Sequence, residues 1–178
     1  MARARGRWRA WAPVLACALL LVACYPELDW REVSSASGGY SVLMPGRPDT
    51  AQREVVVGGV TLTMTMTSAR RDGMAFGAAY ADIPGNDARD AALLAAARDA
   101  LVRNINGHIA STREIAIDGA AGQEFQADGK VDGHPMRLAA RVLIGGSRFY
   151  QIVYVGRAGS LPEADANLFL GSFRLVAK

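Results

Sequence analysis

The stretch Val55-Val56-Val57-Gly58-Gly59-Val60-Thr61-Leu62-Thr63-Met64-Thr65-Met66-Thr67 reads as a β-hairpin. Its Gly-Gly pair supplies the positive φ angles of a two-residue turn, and the strict alternation that follows puts Val60, Leu62, Met64 and Met66 on one face. Upstream, Trp30 to Val33 and Tyr40 to Met44 have the composition of short strands. They are separated by residues 34–39 and closed by Pro45-Gly46-Arg47-Pro48, where Gly and Pro punctuate the chain through their backbone preferences. Downstream, Met74 to Asp82 makes a further strand with Phe76, Ala78 and Tyr80 on one side.

Pro84-Gly85-Asn86 then breaks the pattern, and Asp87 to Asn106 takes up helical periodicity. Ala91, Leu94, Ala95, Leu101, Val102 and Ile105 form its apolar stripe, Asp87 and Asp90 suit the positive end of the dipole, and Gly107 stops it. Arg89, Arg98, Asp99 and Arg103 lie on the opposite face, the mixed-charge pattern of solvated surface. Strand periodicity returns in Ser111 to Ile117, Ala121 to Ala127, Met136 to Ile144 and Arg148 to Val155. The turns at Asp118-Gly119, Asp128-Gly129, Asp132-Gly133 and Gly145-Gly146 make this an antiparallel meander. Ser160-Leu161-Pro162-Glu163 predicts a capping box opening a last helix that turns Leu168 and Phe169 inward, and Phe173 to Val176 closes as a short strand.

Three segments carry a family resemblance: Tyr40 to Pro48 near the start, Arg148 to Val155 late, and Phe169 with Ser172-Phe173 at the end. Together with the order of strands, long helix, meander and final helix, they make the chain similar to PsbP-like domains. That fold is shared by extrinsic proteins of photosystem II, a Ran-binding nuclear transport factor and many small bacterial lipoproteins. The resemblance implies an α+β fold in which an antiparallel β-sheet is flanked by helices, an α/β/α sandwich. It implies no common active site, and shape alone says little of function.

The N-terminus predicts a destination. Arg3, Arg5, Arg7 and Arg9 precede the apolar run Ala10 to Ala23, the n-region and h-region of a secretory signal. The run is shorter than the roughly 20 residues a membrane-spanning helix needs, and it contains Pro13. It ends in Leu21-Val22-Ala23-Cys24, which resembles the lipobox of bacterial lipoproteins. The resemblance implies acylation of the Cys24 thiol and cleavage before it. Residues 1–23 then form the signal peptide, 24–29 the lipidated terminus and a short tether, and 30–178 a single domain. Two or three acyl chains hold a protein stably at a membrane without a spanning helix. By the sorting rule of enteric bacteria, Tyr25 in place of Asp favours the outer over the inner membrane.

Removing the signal changes the composition that matters. The whole chain has 20 basic and 17 acidic residues. Four of the basic ones belong to the signal, so the mature chain is nearly neutral, with no basic face for nucleic acid. Cys17 leaves with the signal, and Cys24 is then the only cysteine, so no disulfide is expected. Two histidines and no spare thiol make neither a transition-metal site nor a cofactor site.

Catalytic patterns are absent. There is no G-x-S-x-G elbow, and Gly145-Gly146-Ser147 suits a hairpin. His108 and His134 lie in predicted loops without a nucleophile beside them. Asp118, Asp128 and Asp132 serve Asp-Gly turns, and Lys130 and Val131 interrupt any calcium loop. Tyr150 and Tyr154 share one strand face and form the candidate partner surface. The expected function is a non-enzymatic protein-binding or accessory domain, tethered to the cell envelope and facing the periplasm. A small-molecule or lipid-binding module, holding its ligand between sheet and helix, is the alternative, and a cryptic hydrolase is third.

Overall fold

The computed structural model describes residues 28–85 and 90–176. Seven antiparallel strands form its main sheet, in the order β3-β4-β5-β9-β8-β7-β6. These are β3 (Asp49–Val57), β4 (Val60–Arg71), β5 (Met74–Asp82), β6 (His108–Ile117), β7 (Ala120–Val131), β8 (His134–Gly145) and β9 (Arg148–Arg157). A second sheet, in the order β1-β2-β10, contains β1 (Trp30–Ser35), β2 (Tyr40–Pro45) and β10 (Arg174–Leu175). Two helices complete the described chain, α1 (Asp90–Asn104) and α2 (Glu163–Gly171).

The expected α/β/α sandwich is therefore corrected. Strands hold 61% of the described residues and helices 16%. One face of the large sheet is covered by α1, but the other lies beneath the small sheet together with α2. The layer that the PsbP-like resemblance assigns to helix is largely β-structure, because β2 recruits both β1 and the distant β10 as partners.

The opening hairpin is as the alternation predicts, with Val57 opposite Val60 and the chain turning at Gly58-Gly59. Leu62 and Met64 are buried under α1, while Thr61 and Thr63 stand exposed on the other face. The Asp-Gly turns at 118–119 and 132–133 have positive φ at both residues, the geometry of a type I′ turn, whose twist matches that of the flanking strands. Asp128-Gly129 behaves differently. It runs on inside β7, where a Cβ on Gly129 would come within 2.2 Å of the Ile105 carbonyl oxygen. Glycine there lets the end of α1 meet the sheet, and the Lys130 N–H donates to Ile105 O at 2.8 Å.

Two cores follow. Leu93, Leu94, Ala97, Val102 and Ile105 of α1 bury against Phe125, Ala140, Val142 and Phe149. Leu93 and Ala97 replace Ala91 and Ala95 in the expected stripe, so the buried face of the helix is rotated from the predicted one. The second core is aromatic: Phe169 is fully buried, 5.2 Å from Phe76 edge-on and 6.3 Å from the stacked Trp30. Leu170, not Leu168, is the second inward residue of α2, and Leu168 is 43% exposed. The capping box also fails. Pro162 is the N-cap and offers no side-chain hydrogen bond, while the Ser160 hydroxyl donates to Arg157 O at 2.7 Å.

Both edges of the large sheet are protected. On β6 the pairing register shifts between Ile109 and Ser111, a bulge, and Arg113 and Glu114 follow it. On β3 the exposed run includes Asp49, Arg53 and Glu54.

Candidate functional site

The lipobox residues Leu21, Val22 and Ala23, with Cys24, lie outside the described residues. The described chain begins at Leu28, which is 4% exposed and already part of the aromatic core. Only three residues, 25–27, separate it from Cys24.

Tyr150 and Tyr154 do not form an exposed surface. β9 is the central strand, and its tyrosine face looks into the second core under β2 and α2. The Tyr150 hydroxyl donates to Gly38 O at 3.2 Å, fastening the turn between β1 and β2 to the sheet. Tyr154 Oη lies 3.0 Å from Ser160 Oγ, and burial raises its pKa above the ordinary tyrosine value. It rests over Gly156, where a Cβ would stand only 2.6 Å from that oxygen. These tyrosines pack the core with their rings and satisfy loop groups with their hydroxyls.

The strongest polar cluster in the described chain is one that the sequence does not announce. Glu124 on β7 accepts from Arg113 Nε of β6 at 2.8 Å and from Arg141 Nε of β8 at 2.6 Å. Arg141 also donates to Leu170 O at 2.6 Å, so the cluster ties the last turn of α2 to the sheet. Burial alone would raise the Glu124 pKa, but the two guanidinium partners outweigh it and hold the carboxyl below the usual range. Its contribution to stability is therefore present above the unfolded-state value of about 4.3 and is lost as pH falls through the lower folded value. Glu124→Gln is expected to cost about 2 kcal/mol at neutral pH, the scale of a hydrogen bond to a charged group, and much less near pH 3. Denaturant melts at both pH values check this; an equal gap at the two would refute it.

Three surface depressions stand out among the described residues. The first, about 260 Å³, lies between the sheet and the start of α2, lined by Gln126, Arg137, Tyr154, Leu161 and Glu163 among others. Arg137 there is engaged by Asp128 at 2.9 Å. Its size is below the roughly 300–1,000 Å³ of ordinary ligand sites, and its lining mixes Gln126, Arg137 and Glu163 with Ala139, Leu161 and Ala166, unlike the mostly apolar cleft a lipid module needs. The second, about 420 Å³, is an open trough over Gln52, Thr61, Thr63, Thr65, Tyr80 and Asp82. The third, about 270 Å³, lies on the α1 side of the sheet but beyond the helix, with Met66, Val153 and Val155 in its floor and Arg53 and Arg70 at its rim.

His108 and His134 are the exposed first residues of β6 and β8 rather than loop residues. Among the described residues no hydrogen bond joins either to a serine or a carboxylate. Asp118 accepts from the Leu175 N–H at 2.9 Å, which seats β10 beside the turn. No group of three metal-ligating side chains gathers among the described residues, and none of their helices is long and apolar enough to cross a membrane.

No family model matches the chain, and no curated protein matches it. Among solved structures it is similar to protein PA94 of Pseudomonas aeruginosa, a candidate regulator of unknown function. That similarity has 10% identity and a TM-score of 0.44, and it spans 77% of this chain and 89% of that one.

Proposed function

We propose that the chain is a cell-envelope lipoprotein whose domain, held at a membrane by acyl chains on Cys24, acts as a non-enzymatic accessory or binding domain facing the periplasm. The observation that carries this reading is the sequence Leu21-Val22-Ala23-Cys24 at the end of an Arg-rich, apolar leader. Leu28, four positions past the Cys24 thiol, is buried in the aromatic core, so an anchor at Cys24 would hold the domain close to the membrane. The outer membrane is the favoured location, from Tyr25.

Mass spectrometry of the N-terminal peptide from the full-length gene product, purified from a bacterial envelope, tests the anchor. The expected peptide starts at Cys24 and carries two or three acyl chains. A peptide that starts at Met1, or at any residue past Cys24, would overturn the reading.

A further inference from the structure

We infer that one corner of the large sheet, at the end where the chain enters the domain, rests on anionic phospholipid headgroups. The inference rests on the anchor reading above and adds an orientation to it. Four Cα steps join Cys24 to Leu28, so the domain lies at most about 14 Å from the acylated residue. Leu28 is fixed in the core, and Trp30 packs its ring 5.7 Å from Phe76, next to the β4–β5 turn. The entry point and that turn therefore share one end of the molecule.

The same corner is rich in arginine. Arg70 and Arg71 end β4, and Asp49 pairs with Ser68, which brings the exposed Arg47 alongside them. Arg157 lies two residues past the Ala75–Val155 pair, next to the turn on the neighbouring strand, and Arg53 stands on β3. All five are exposed, against the exposed acids Asp49 and Glu54 on β3 and Asp72 in the β4–β5 turn. No ion pair among the described residues engages any of the five. Guanidinium groups bind phosphate oxygens in bidentate fashion, and a tether this short holds the end of the domain that carries them toward the headgroups. The third depression, with its floor of Met66, Val153 and Val155, opens in this corner and gives the rim arginines an apolar neighbour suited to the interface. At the opposite end the main cation, Arg148, is occupied by Asp82 at 2.7 Å and by the Ser37 and Gly38 carbonyls.

The test uses the acylated full-length product reconstituted in vesicles of phosphatidylglycerol and phosphatidylcholine, and in phosphatidylcholine alone. A fluorophore is placed at Ser68→Cys in the corner or at Val56→Cys at the far end, where the native residue is 70% exposed. Headgroup-nitroxide lipid is expected to quench the Ser68 label several-fold more than the Val56 label in the anionic vesicles. The contrast is expected to shrink in phosphatidylcholine alone, at high salt, and with Arg70→Glu plus Arg71→Glu. Acylated protein that floats with the vesicles while both labels quench equally, or Val56 quenches more, overturns this inference alone. Protein that carries no acyl chain and does not float overturns the anchor reading and this inference with it.

Discussion

Cys24→Ser is expected to abolish incorporation of radiolabelled palmitate and to release the protein from the membrane fraction. Thioether formation needs the sulfur nucleophile, and a serine hydroxyl at the same position is far less readily ionised at neutral pH. Under the proposed acylation the consequence is large, because each buried CH₂ contributes about 0.8 kcal/mol to membrane affinity and the loss of two or three chains would remove most of it. No described helix replaces that affinity by spanning the bilayer. Undiminished palmitate uptake by the serine variant would end the lipoprotein reading, whatever its fractionation showed.

Phe169→Ala is expected to cost about 4 kcal/mol, the range for removing a fully buried aromatic ring. The ring is the point at which three segments meet: Trp30 from β1, Phe76 from the central sheet and Phe169 from α2. Its loss opens a cavity between layers that are joined by packing, since the small sheet shares no strand with the large one. For a domain of this size the melting temperature would fall by about 8–16 °C. Leu168→Ala, on the exposed side of the same turn, is the control and should lower it little. Equal effects of the two would mean that α2 is not seated on Phe76.

Local elements were legible in the sequence where each residue's neighbours in the chain decide its state. The Gly58-Gly59 hairpin and the Asp-Gly turns at 118 and 132 follow from turn chemistry and alternation, whereas the β8–β9 turn falls at Gly146-Ser147, one residue past the expected Gly145-Gly146. What escaped is set by neighbours remote in sequence. In β5, β8 and β9 both faces are buried, so polarity no longer marks inside from outside, and Tyr150 and Tyr154 could be read as a surface. Side-chain size does not replace it as a marker: Phe76, Tyr150 and Tyr154 face α2, but Phe149 of β9 faces α1. Asp128-Gly129 looked like a turn because the approach of Ile105, 24 residues earlier, is invisible locally. The Glu124 cluster had no signal, because cross-strand register alone brings Arg113, Glu124 and Arg141 together. The Ser160 capping box failed because the hydroxyl found Arg157 O and the Tyr154 hydroxyl first.

Under the proposed anchoring at Cys24, the bulge of β6 and the charges on β3 take on a further meaning. Molecules restricted to two dimensions, all standing the same way up, meet edge to edge far more often than they would in free solution, and a row of unpaired strand amides is the template for endless ribbon growth. The kink between Ile109 and Ser111 breaks that template on one side, and Asp49, Arg53 and Glu54 burden it on the other. On a membrane, the sheet could therefore stay crowded without polymerising.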